Sequence, residues 1–121
     1  ADDEAMAGFI APLQAANAQW GDLTMQIGTR AMQNPDEVGA ASVDFTMFSG
    51  YVVLAYLWAQ MAQVAQRKLA EGAADKAFYE AKLVTARYYF ERILPRTSGH
   101  AAGALAGADS VMALDAGHFA F

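Results

Sequence analysis

Cysteine is absent from the 121 residues, which excludes a disulfide framework and any zinc site built on thiolates. Histidine is almost as scarce: His100 and His118 are the only two, too few for a histidine-rich metal centre. No stretch alternates apolar and polar residues for long enough to make a strand. No 20–50-residue repeat signals a solenoid. There is no P-loop and no GxGxxG between a strand and a helix, so the common phosphate cradles are missing. The longest apolar run, YVVLAYLWAQMA at 51–62, is a dozen residues, whereas a membrane-spanning helix needs ~20. It is expected to be a buried helix and not a membrane span. Nothing around Asp2, Asp3 and Glu4 reads as a signal or transit peptide. The missing initiator Met leads us to expect an expressed fragment of a longer protein.

What remains is rich in apolar residues, 55% against 17% charged. That suits a single well-packed domain and rules out a disordered tail. Apolar spacing predicts an all-α fold, an antiparallel (up-and-down) bundle of about four helices. The first runs from about Asp3 to Gln33 on a seam of Met6, Phe9, Leu13, Ala16, Trp20, Leu23 and Ile27. Pro12 is expected to kink it or to mark a broken first segment. Asn34-Pro35-Asp36 is a stop and restart, with Asp36 as the cap. The second helix starts between Glu37 and Ser42 and reaches about Ala70. Its seam is Phe48, Tyr51, Ala55, Trp58, Ala62, Ala65 and Leu69. A second apolar face of Val53, Leu54, Leu57, Met61 and Val64 predicts a helix at the centre of the fold.

The third helix is expected from an Asp75 cap to Pro95. Lys76, Glu80, Arg87 and Glu91 form its solvated face. Phe78, Tyr79, Lys82, Leu83, Ala86, Tyr89, Phe90 and Ile93 form its inner one. A short fourth helix follows from about Ser98 to Leu105, then a turn or short helix near 110–114. Gly99, Gly103 and Gly107 recur every fourth residue, a spacing that permits close approach to a neighbour.

No catalytic constellation emerges. Ser98-Gly99-His100 fits a loop or cap better than a triad, since sequence neighbours do not make one. Trp20 and Trp58 fall on helical seams and read as core, and His118 as exposed. Asp22, Asp44, Glu80 and Glu91 form no pair at a helical spacing with histidine support, so a di-iron bundle is not expected. Charge is uneven: residues 67–96 hold seven cations against four acids, a net of +3, and the rest holds Arg30 against nine acids, a net of −8. Internal complementarity between helices is the expected reading of that pattern, and a basic patch facing an anionic cofactor or a neighbouring domain is the alternative. The overall charge of −5 argues against nucleic acid as a partner. Candidate ion-pair or interface residues are Lys82, Asp44 and Arg92. A lysine inside an apolar stripe must snorkel or meet an anion. Counting along an up-and-down bundle sets Lys82 level with about Ala65, and so with Asp2, Asp3 or Glu4; one of these acids, or an anion from a neighbouring domain, is expected close to its amine.

Several strings resemble the carboxyl-terminal domain appended to the larger bacterial acyl-CoA dehydrogenases. They are FSGY at 48–51, YLWAQMA at 56–62, FYEAKL at 78–83, ARYYF at 86–90, ILP at 93–95 and GADSVMAL at 107–114. The resemblance covers about residues 5–118. It implies an accessory domain, 1–121, of a cytoplasmic, homo-oligomeric flavoenzyme of fatty acid metabolism. Such an enzyme oxidises acyl-CoA to 2-enoyl-CoA with FAD and a glutamate base held in its upstream domains. No stretch here matches the flavin-binding loops or the helix bearing that glutamate. No catalytic, cofactor-binding or metal residue is therefore assigned, and Glu80 and Glu91 are not promoted to the base. The alternative is a freestanding helical binding or scaffold protein.

Overall fold

The computed structural model describes residues 2–120, with side chains from Glu4 onward, and all of its regular structure is helical. Four main helices account for most of it: α1 (Asp2–Gln33), α2 (Asp36–Ala70), α3 (Lys76–Tyr88) and α4 (Thr97–Ala104). A one-turn α5 (Asp109–Met112) and a 3₁₀ turn (Ala116–Phe119) close the chain. The all-α bundle expected from the apolar spacing is observed.

α1 and α2 are antiparallel. Gln66 donates to the Ala5 carbonyl at one end, and Trp20 Nε1 donates to Ser49 Oγ at 2.8 Å nearer the other. The α1 seam is where its spacing put it: Met6, Phe9, Ala16 and Leu23 are buried, with Leu13, Trp20 and Ile27 packed against them. Pro12 does not break α1, which is one continuous helix. Its missing N–H leaves only the Gly8 carbonyl without its usual donor, and a long packed seam carries the helix past that single loss. Asp36 is not the cap of α2. Pro35 holds the cap position, and Asn34 Oδ1 takes the Asp36 N–H. At the other end Gly72, at φ +74, closes a Schellman turn: Gly72 N–H bonds to Leu69 O and Ala73 N–H to Lys68 O.

α2 is the hub, packed against α1, α3 and α4. Its buried stripe is mostly alanine (Ala41, Ala55, Ala59, Ala62 and Ala65) around Phe48 and Val52, and small residues let three helices approach one. The second apolar face predicted for α2 is not covered. Val53, Leu54, Leu57 and Val64 are exposed. The helix is central, yet three neighbours do not encircle it. By length and composition α2 could also cross a membrane, a test that the hub helix of a bundle passes too. The dozen-residue count understated it. Its neighbour α3 turns Lys76, Glu80 and Arg87 outward, as a bundle helix in water does.

Pro95 does not end α3 as expected. The α geometry stops at Tyr88, and a π turn (Tyr89–Ile93) and a 3₁₀ turn (Leu94–Arg96) carry the chain over the proline into α4. In α geometry the Pro95 ring would clash with the carbonyl four residues back, and the change of pitch avoids this. The wide turn buries both Tyr89 and Phe90. Phe90 meets Phe9 edge-on at 5.4 Å and Tyr89 stacks on Trp58 at 6.3 Å. α3 and α4 therefore run along successive levels of α2 in one direction: Lys82 beside Trp58, Tyr89 beside Tyr51, and His100 beside Asp44. Asp75 is the N-cap residue of α3, but its side chain makes no capping bond.

Candidate docking surface

The outward ridge of α2 is a helix face dominated by large apolar residues, with nothing packed on it among the described residues. From Phe45 to Gln66 the helix carries no charged residue. Its buried positions there are Phe48, Val52 and four alanines, while Val53, Leu54, Tyr56, Leu57 and Val64 point out at exposures between 40% and 53%. Grooves flank the ridge on both sides. One, of about 490 Å³ between α2 and α3, is lined by Leu57, Met61, Val64, Phe78, Tyr79 and Lys82. The other, of about 400 Å³ between α1 and α2, is lined by Leu13, Trp20, Val52, Val53 and Tyr56. Phe78, expected on the inner face of α3, is 56% exposed at the lip of the first groove. The first turn of α3 lies beside residues 57–65 of α2 with an open groove between them, and this leaves the Phe78 ring in water.

Lys82 stands on the same lip. Its amine lies 5.9 Å from the centre of the Trp58 ring and 5.3 Å from that of Phe78, so it is held by two aromatic faces. Among the described residues no carboxylate comes within 4.0 Å of it. The expected pairing with the N-terminal acids falls partly outside the described residues, which exclude the Asp2 and Asp3 side chains. Glu4 is exposed. Lys82 lies level with Trp58 instead of Ala65, seven residues or ~10 Å of helix rise nearer the start of α2. The interlock of Tyr89 with Trp58 and Tyr51 sets the register, and turn symmetry does not. The Tyr89 hydroxyl donates to the Tyr51 carbonyl at 2.6 Å. Burial, and then the neighbouring Tyr51 phenol, pushes its pKa up to about 12. Arg92 is exposed and forms no ion pair among the described residues.

Asp44, the third candidate, does find a partner. Its Oδ1 sits 2.9 Å from His100 Nδ1 across the α2–α4 contact, so His100 is neither a loop nor a cap residue. A Cβ on Gly103 would come within 2.8 Å of the Asp44 carboxyl carbon, so α4 seats on this carboxylate only because residue 103 has no side chain. The two partners are 56 residues apart, and no helical spacing could have revealed the pair. Around it Arg30 donates to the Leu105 carbonyl and Glu37 accepts from Ala108 N–H. The cluster fastens the end of α4 to α1 and α2. Among the described residues no three histidines, cysteines or carboxylates converge as metal ligands. His118, exposed as expected, closes a capping box with Asp115.

A family model described as "Acetyl-CoA dehydrogenase C-terminal like" matches residues 1–115. The chain belongs to that family. No curated protein sequence matches it. The bundle is thus an acyl-CoA dehydrogenase C-terminal-like domain, and the resemblance expected over about residues 5–118 is borne out over the matched residues, which end at 115. Within this domain the ridge of α2 and its two grooves form a continuous apolar surface of the kind that marks interaction sites.

Proposed function

We propose that this chain is the carboxyl-terminal accessory domain of a larger FAD-dependent acyl-CoA dehydrogenase, in which upstream domains oxidise acyl-CoA to 2-enoyl-CoA. The observation that carries the reading is the family match over residues 1–115. The unpartnered ridge of α2 supports it, because a domain in contact with a larger body needs such a face. On this reading the domain packs on the catalytic part or supports a homo-oligomer. FAD and the glutamate base belong to the upstream part of a cytoplasmic bacterial enzyme of fatty acid metabolism.

Two preparations test the proposal. The isolated chain should give a helical circular dichroism spectrum, bind no FAD and oxidise no acyl-CoA. The parent polypeptide should carry flavin absorbance and reduce an acceptor with acyl-CoA. Stoichiometric flavin binding by residues 1–121 alone, or a parent without flavin, would overturn it.

A further inference from the structure

We propose that the domain docks through the outward face of α2, Val53 to Val64, with Phe78 and Lys82 of α3, and that the body it meets presents a carboxylate to the Lys82 amine. This rests on the accessory-domain reading and adds the surface and the chemistry of the partner. The face spans eleven residue steps, ~17 Å or three turns of helix, and contains no charge. The grooves beside the ridge suit the ridge of another helix, as helices pack elsewhere. An apolar partner alone would leave one group unanswered. Lys68 and Lys76 have Glu71 and Glu80 within 4.0 Å, whereas Lys82 has only two aromatic rings among the described residues. Covering the groove takes that amine out of water, and a buried ammonium requires an acid.

A second copy of the chain does not supply one. Two such faces meet about a two-fold axis running across or along α2. An axis across α2 at this level sets Lys82 against its own counterpart. An axis along α2 sets it against the stretch of α1 opposite Trp58, near Pro12 by the pairing of Ala5 with Gln66 and Trp20 with Ser49. From Ala5 to Gly21 that helix has no charged residue. The acid must come from a different surface, and the dehydrogenase body is the one the family implies.

Amine footprinting by mass spectrometry tests this in the intact parent enzyme, with the isolated chain diluted to monomer as reference and exposed Lys76 as internal standard. Labelling of Lys82 should fall by about an order of magnitude in the parent while Lys76 is unchanged, as for a charge desolvated at an interface. Leu57→Asp in the parent should restore the rate. Lys82→Glu should lower the parent's melting temperature more than Lys82→Gln, whereas in the isolated chain the two should match. Since Leu57 and Lys82 lie at the surface, unchanged circular dichroism of each variant chain separates a docking defect from misfolding. Lys82 equally reactive in a flavin-bearing parent would overturn the docking face and leave the accessory-domain reading intact. Equal effects of Glu and Gln in the parent would overturn the carboxylate. A defined dimer of the isolated chain with Lys82 protected would make a second copy the occupant, and a parent without flavin would sink the functional reading itself.

Discussion

Lys82 shows how one side chain can satisfy an apolar stripe without an ion pair. Its amine rests over the faces of Trp58 and Phe78. Lys82→Met keeps the packing and gives up a cation–π attraction of ~0.5–1 kcal/mol. Lys82→Ala also strips the two rings, for about 1 kcal/mol more by area. Thermal melts of the isolated chain should rank wild type above Met and Met above Ala; equal, negligible losses would show a solvated surface lysine. Tyr89 carries the clearest pH signal. Its folded pKa of about 12 stands above the ordinary tyrosine value of 10.0. The unfolded chain therefore releases this proton first as pH rises. The stability tied to the proton is fully present below pH 10 and disappears as pH approaches 12. Tyr89→Phe should lose about 1 kcal/mol at neutral pH with the bond to Tyr51 O. It should also flatten the stability loss between those two pH values, read from urea midpoints.

At the scale of the element, α2 from Ala55 onward inverts the usual size rule, burying alanines and exposing larger residues. Ala62 is fully buried, so Ala62→Leu should drive the neighbouring helices apart and cost ~1–3 kcal/mol. Leu57→Ala, on the open ridge, should stay within about 0.5 kcal/mol in the isolated chain. Chemical denaturation of both variants checks the contrast. The three spaced glycines of the C-terminal region also separate once packing is known. Gly103 is required by Asp44 and Gly107 by its φ of +90, while a Cβ on Gly99 would meet open space. Their common spacing was visible; their different reasons were not, because each depends on a neighbour distant in the chain.

For the molecule as a whole, the isolated domain leaves a long apolar face in water. It should bind an apolar dye such as ANS, or associate weakly as concentration rises, and Leu57→Asp should reduce either effect. A dye-silent, strictly monomeric chain at high concentration would contradict the open face. The charge asymmetry has a mixed outcome at this scale. Lys68 and Lys76 pair locally with Glu71 and Glu80, three and four residues away. Arg30 instead binds a backbone carbonyl, and Lys82 rests on aromatic rings.

Helix number and the α1 seam were determined by local pattern. A 3.6-residue apolar period needs only its own segment to be read, and strings such as FYEAKL and ARYYF carried the family. Other features waited for tertiary structure. Pro12 is passed without a break because a packed seam outweighs one lost hydrogen bond. Pro95 is crossed because a π turn and a 3₁₀ turn reconcile its ring with burial of Tyr89 and Phe90. Periodicity also counted both apolar faces of α2 as interior. Which face is covered depends on how many helices surround the hub, and here three leave the ridge from Val53 to Val64 open. The Asp44–His100 contact and the position of Lys82 belong to the same class. Each is fixed by the register between helices, which side-chain interlock sets and no spacing within one helix encodes.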